Sequence, residues 1–104
     1  MSGERLVQEI GYRLSAAAPD AEIILFGSRA HGDARPDSDL DLIVIESDFE
    51  RRGEEYGRLR NEMHGLGVAI DLIIYRRREA DERCGVPGSL LYRALREGRV
   101  LGGD

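Results

Sequence analysis

Three aspartates and a Gly-Ser pair carry the chemistry that this chain can offer: Gly27-Ser28, then, after ten intervening residues, Asp39-x-Asp41, and later Asp71 within Val68–Tyr75. Gly27 closes the apolar run Ile23-Ile24-Leu25-Phe26. Glycine admits backbone conformations closed to other residues and lets a ligand approach the main chain, while Ser28 is a good N-cap for a short turn through Arg29, Ala30 and His31. Amide groups exposed at such a start attract phosphate oxygens. Along a strand side chains alternate, so Asp39 and Asp41 share a face, and two adjacent carboxylates repel each other unless a cation lies between them. Asp71 interrupts an otherwise apolar strand, where an ionised carboxylate must shift its pKa, pair or bind a metal. Together these residues read as a phosphate grip beside a metal site. Each has a plainer reading: Ser28 as an ordinary cap, Asp39 and Asp41 as a polar strand entrance bonded to loop amides, Asp71 as a strand-end carboxylate relieved by solvent. A Gly-Ser pair or an Asp-x-Asp alone is common; joined at this spacing between two apolar strands they are far more specific.

The elements that must position these residues follow from periodicity. Leu6, Val7, Ile10, Leu14 and Ala17 recur at helical spacing within residues 4–18, and Pro19 marks the stop. The short, continuous apolar run at 23–26 is that of a strand covered on both faces. Residues 32–38 are dense in turn formers and predict an exposed loop, with a second strand over 39–45. Ser47-Asp48-Phe49-Glu50 has the form of a capping box, leading a helix through Tyr56, Leu59 and Met63 that Gly65 and Gly67 end. The third strand spans 68–75. Arg76 to Arg83 is a mixed-charge stretch expected to be a solvated face, residues 89–97 form a last helix stopped by Gly98, and Val100-Leu101 add a short edge strand. Repeats, low-complexity tracts and linkers are absent from the chain.

At 104 residues the expectation is one domain spanning 1–104. A domain of this size buries roughly two thirds of its unfolded surface, enough for one core but not for a second substrate lobe. An acceptor surface must then come from another chain. With 41% hydrophobic and 34% charged residues the composition is globular, and the apolar runs are too short to span a bilayer. The first residues lack a signal-peptide stretch, and the one cysteine, Cys84, cannot pair internally, so a cytoplasmic location is expected. A net charge of -5 disfavours binding a long nucleic acid, although small anions can bind locally. All 15 cationic residues are Arg, which excludes a Walker-type phosphate loop with its lysine. His31 and Arg35 are expected to face solvent from the loop, and His64 and Cys84 are assigned no function.

The segment Phe26-Gly27-Ser28-Arg29-Ala30-His31-Gly32 through Ser38-Asp39-Leu40-Asp41-Leu42 resembles the signature of the DNA polymerase beta-like nucleotidyltransferase superfamily. The small size and the stretch from Leu91 to Leu101 are similar to the minimal nucleotidyltransferase (MNT) family in particular, and the similarity covers nearly the whole chain. The resemblance implies an α/β (α+β) fold, a small mixed sheet with helices packed on one side, and a reaction using two Mg²⁺ ions and ATP or another nucleoside triphosphate. It places Asp39, Asp41 and Asp71 as metal ligands and catalytic carboxylates, with Gly27 and Ser28 on the terminal phosphates and Arg29 helping. It further implies AMP transfer to a hydroxyl, a tyrosine of a HEPN-type toxin partner, with the chain acting as antitoxin; a homo- or hetero-oligomer is compatible with the sequence, which does not fix the oligomeric state. Two alternatives stay open: an antitoxin that neutralises its partner by contact alone, and one half of a two-chain small-molecule (aminoglycoside-type) nucleotidyltransferase. Nothing in the residues marks adenine over other bases.

Overall fold

The computed structural model describes residues 3–27 and 39–102. Leu6, Val7, Ile10 and Leu14 bury one face of α1 (Gly3–Ala17), as their spacing predicts. β1 (Glu22–Phe26) and β2 (Leu40–Glu46) form an antiparallel pair in which Ile23 stands opposite Val44 and Leu25 opposite Leu42. α2 (Arg52–Glu62) then crosses over to β3 (Ile70–Arg76), which lies parallel to β2. α3 (Arg77–Arg83) and α4 (Leu90–Glu97) lead to β4 (Arg99–Gly102), antiparallel to β1, giving a mixed sheet of order β3-β2-β1-β4. Among the described residues no helix is long and apolar enough to cross a membrane.

Helices cover both faces of this sheet, which corrects the expectation of helices on one side. On one face Ile23, Leu25, Leu42, Val44, Leu72 and Ile74 pack with α1 and with Leu59 and Met63 at the end of α2. On the other, Ile24, Ile43, Ile45 and Tyr75 pack with Ala80 of α3 and with Leu91 and Ala94 of α4. The reason lies in the strands: unbroken apolar runs put a hydrophobic side chain on each face, and leaving either in water would forgo about 1.5–3 kcal/mol per large residue. The mixed-charge stretch is thus a helix with its charges outward and Ala80 buried. Gly98 lets α4 sit directly on β1, since a Cβ there would lie 2.7 Å from the Ile24 side chain.

The start of α2 also differs from the capping box expected at Ser47–Glu50. Arg51 occupies its N-cap without a side-chain cap bond, and the Ser47 hydroxyl bonds the Asp20 carboxylate instead, so the Ser47-x-x-Glu50 box is not formed. Tertiary pairing outcompetes the local motif. Ser89, by contrast, does cap α4, accepting from the Tyr92 amide at 3.1 Å. Several arginines pin main-chain carbonyls: Arg60 and Arg52 donate to Ile70 and Ile74 on the outer edge of β3, each at 2.6 Å, and Arg13 donates to His64 at 3.0 Å. Guanidiniums over edge carbonyls shield a strand that would otherwise be open to pairing.

Glu46, the last residue of β2, is buried at 5% exposure beneath α2. Burial, then the neighbouring Glu55 carboxyl, pushes its own carboxyl up to about 8, while Arg58 pulls the other way and Asp20 adds to the rise. The Arg58 guanidinium in turn holds Glu55 below the usual carboxylate range. Between about pH 4.5 and 8 the folded chain therefore keeps a proton on Glu46 that the unfolded chain has lost, and stability falls as pH rises through that window. Glu55, lowered, loses its stabilising effect only on the acid side. Glu46→Gln is expected to raise stability at pH 8.5 by on the order of 2 kcal/mol and to flatten the profile between pH 5.5 and 8.5. Thermal melts of both chains across that range test this, and equal pH slopes would refute it.

Candidate active site

β1, β2 and β3 bring the chemistry to one end of the sheet. Phe26, the last residue of β1, is paired with Asp41, and Asp41 is in parallel register with Asp71. A single row across three strands therefore reads Phe26, Asp41, Asp71. By strand alternation these side chains share the face of Ile24, Ile43 and Tyr75, beyond the part that α3 and α4 cover. Asp39 stands exposed, one residue before β2.

The electrostatics join the three carboxylates. Partial burial pushes the Asp41 carboxyl above the usual carboxylate range, reinforced by the charge of Asp71, then by that of Asp39, and by a hydrogen bond with Asp71. Asp71 itself is exposed on the edge strand β3. The expectation of a carboxylate enclosed by apolar neighbours is thereby corrected, because its side chain emerges where the sheet ends and only its strand neighbours turn inward. Its pull toward a cation comes from Asp41, not from burial.

Gly27 ties the phosphate half of the site to the carboxylate half. It adopts a φ of +81°, and a Cβ built there would lie 2.5 Å from Asp41 Oδ2. The backbone conformation favours glycine, and any side chain there would displace the Asp41 carboxylate resting against it. Ser28 and Arg29, together with His31 and Arg35, lie outside the described residues. His64 is exposed in the turn after α2, and Cys84 is half-buried at the end of α3, its thiol 3.5 Å from the Asp81 carbonyl oxygen.

Among the described residues no group of three or more His, Cys, Asp or Glu side chains is closed up around a cation position. The fit to a divalent cation is instead that of a half-buried carboxylate raised by two others, the condition a cation relieves. The motif did not disclose the half-buried Phe26 and Ile73, which pack beside the second core cluster on the same face and form an apolar shelf next to the carboxylates. Alternation was the available signal, since it sets Phe26 with Ile24 and Ile73 with Asp71.

The profile of the nucleotidyltransferase domain family matches residues 7–98. Among solved structures, the chain is similar to a protein from Sulfolobus solfataricus, described as a candidate nucleotidyltransferase and determined at 1.40 Å. The two are 21% identical with a TM-score of 0.60, and the match covers 92% of this chain and 76% of that one. At that identity the likeness concerns the fold. No curated protein matches the chain.

Proposed function

The chain belongs to the nucleotidyltransferase domain family, and from that premise we propose that Asp39, Asp41, Asp71 and Gly27 form the site of a Mg²⁺-dependent transfer of a nucleoside monophosphate from a nucleoside triphosphate to a hydroxyl. The observation that carries this reading is the register of Asp41 on Asp71 with Gly27 packed against the Asp41 carboxylate. Asp39, Asp41 and Asp71 would hold Mg²⁺, which when bound supplies charge neutralisation for the triphosphate and acidifies the acceptor hydroxyl. Gly27 leaves the main chain open to the phosphates, with Ser28 and Arg29 next to it in the chain to bind the terminal ones. Asp71, exposed on the edge strand β3 and in register with Asp41, is the carboxylate suited to take the proton of an incoming hydroxyl. The oxygen of that hydroxyl bonds to the α-phosphorus as the bond to pyrophosphate breaks.

The narrower reading rests on the resemblance of the motifs: AMP from ATP, a tyrosine of a HEPN-type toxin as acceptor, and an antitoxin role for a single domain over 1–104 in the cytoplasm. The exposure of Asp39 and Asp71 supports a large acceptor, because a protein surface can reach them without a cleft. Incubation with Mg²⁺, a HEPN-domain partner and each of the four labelled nucleoside triphosphates is expected to label the partner, most strongly with ATP, and Tyr→Phe at its acceptor to remove the label. Absence of labelling by all four would sink the catalytic claim. Labelling of a hydroxylated small molecule in place of the partner would sink the toxin claim alone.

A further inference from the structure

Beyond Asp71 the outer edge of β3 borders an apolar groove. Arg52, Gly53 and Tyr56 of α2 face Leu72, Ile73 and Ile74 of β3 across about 410 Å³ of open space, and the surface they line is almost wholly apolar. That volume lies within the range of ligand sites, about 300–1,000 Å³. With a rise of about 3.3 Å per residue, Ile73 stands roughly 7 Å along the strand from Asp71 and on the same face. The groove therefore continues the proposed reaction site along one strand.

Its walls are held in place by contacts that leave the space between them clear. The Arg52 guanidinium is fixed by the Glu79 carboxylate at 2.7 and 2.6 Å and by the Ile74 carbonyl at 2.6 Å, which keeps its stem in the wall. The exposed Tyr56 ring lies 5.8 Å from the Arg60 guanidinium, itself anchored on the Ile70 carbonyl. Gly53 leaves the mouth open. A Cβ there would meet nothing within 4 Å and its φ is not positive, so the fold itself does not call for glycine, and helix propensity disfavours it. The main chain is on offer as well. Ile70 and Ile74 turn their carbonyls outward to the two arginines, and groups two residues apart in a strand point the same way, so Leu72 turns its own N–H and C=O outward between them.

We propose that this groove seats the acceptor of the transfer reaction as an extended polypeptide segment, with an apolar side chain in the groove, main-chain bonds to Leu72 and its hydroxyl residue at Asp71. The inference rests on the transfer reading given above and narrows its acceptor to a polypeptide. A segment laid on a sheet edge gains affinity from main-chain bonds and specificity from pockets that take alternate side chains, and the step from Asp71 to Ile73 is that two-residue period. A small hydroxylated acceptor offers its hydroxyl to Asp71 but has no second side chain to place in the groove. The arginines on Ile70 and Ile74 confine pairing to a single residue, which keeps the edge from recruiting strands at large.

Two capped heptapeptides test the groove: Gly-Leu-Gly-Tyr-Gly-Leu-Gly, which presents a leucine in either strand direction, and Gly-Gly-Gly-Tyr-Gly-Gly-Gly. With Mg²⁺ and labelled ATP, the leucine peptide is expected to be labelled with a kcat/KM at least about tenfold above that of the glycine peptide, the discrimination one buried leucine gives. Gly53→Leu, which fills the mouth and favours the helix, is expected to cut that ratio below about threefold and to leave the glycine peptide within about twofold. The amide chemical shifts of Gly53 and Leu72, followed without nucleotide, read the groove apart from the chemistry. Saturable shifts are expected with the leucine peptide alone, and in Gly53→Leu the Leu72 shift is expected to vanish. Such shifts with neither peptide labelled would count against the transfer reaction and leave the groove standing. Equal kcat/KM values, the absence of shifts with both peptides, or a preference that survives Gly53→Leu would overturn the groove. Self-association of the full chain that Gly53→Leu abolishes would give the groove to a second copy and overturn the proposal too.

Discussion

Asp41→Asn is expected to lower kcat/KM for nucleotidyl transfer by about 10²–10⁴-fold, the several kcal/mol that a held metal ion supplies to a phosphoryl transition state. Its melting temperature should stay level or rise. The two effects have one origin. In the chain alone, Asp41 is pressed by partial burial and by the charges of Asp71 and Asp39, so its carboxyl sits above the usual range. At neutral pH that repulsion works against folding, and an uncharged amide of the same shape removes it. With a cation in place the same charges become the binding energy of the ion. Loss of function with retained or increased stability is the signature of a strained functional site and not of a structural one. The measurements are single-turnover transfer with saturating Mg²⁺ and triphosphate, and urea unfolding of the two chains. Transfer within about threefold of the natural chain would remove Asp41 from the site, since the loss of a metal ligand costs far more than that. Asp71→Asn should follow the same pattern with a smaller change in stability, because Asp71 is exposed.

What could be read from the residue order was whatever depends on near neighbours along the chain. Alternation set Leu40 and Leu42 on the face opposite Asp41, and the structure keeps that division, with Leu40, Leu42 and Val44 in one core cluster and Ile43 and Ile45 in the other. Helical spacing located α1 and α4, and Ser89 capped where a serine should. The lateral relations were not legible. That Asp71 falls opposite Asp41, and not opposite Leu40 or Leu42, is decided by the parallel register of β3, which depends on how α2 and its following turn return the chain. The number of covered faces was available in the doubly apolar runs of β1 and β2, but the charge of α3 hid the one alanine by which it packs. Ser47 looked like a cap because its own neighbours allowed it; Asp20, 27 positions earlier, was the stronger partner. For the same reason an all-Arg complement reads as surface charge in sequence, while in the fold several of those guanidiniums hold main-chain carbonyls that no local pattern announces.

Gly27→Ala isolates that lateral relation, because it adds one methyl group at the place where two halves of the site touch. Two separate consequences are expected. Holding a non-glycine residue at a φ of +81° costs about 1–2 kcal/mol, visible as a modest fall in the denaturation midpoint. The added Cβ would also stand 2.5 Å from Asp41 Oδ2, so the carboxylate must turn away. A displacement near 1 Å of a group that positions a reacting centre lowers the rate by about 10²-fold. Transfer should therefore fall far more than stability does. The double variant Gly27→Ala with Asp41→Asn separates the causes: if the alanine acts by moving the carboxylate, the two changes together lower transfer little beyond Asp41→Asn alone, whereas independent action multiplies them. A multiplicative loss would leave Gly27 with a role on the phosphates only, and would show that its contact with Asp41 is incidental to the chemistry.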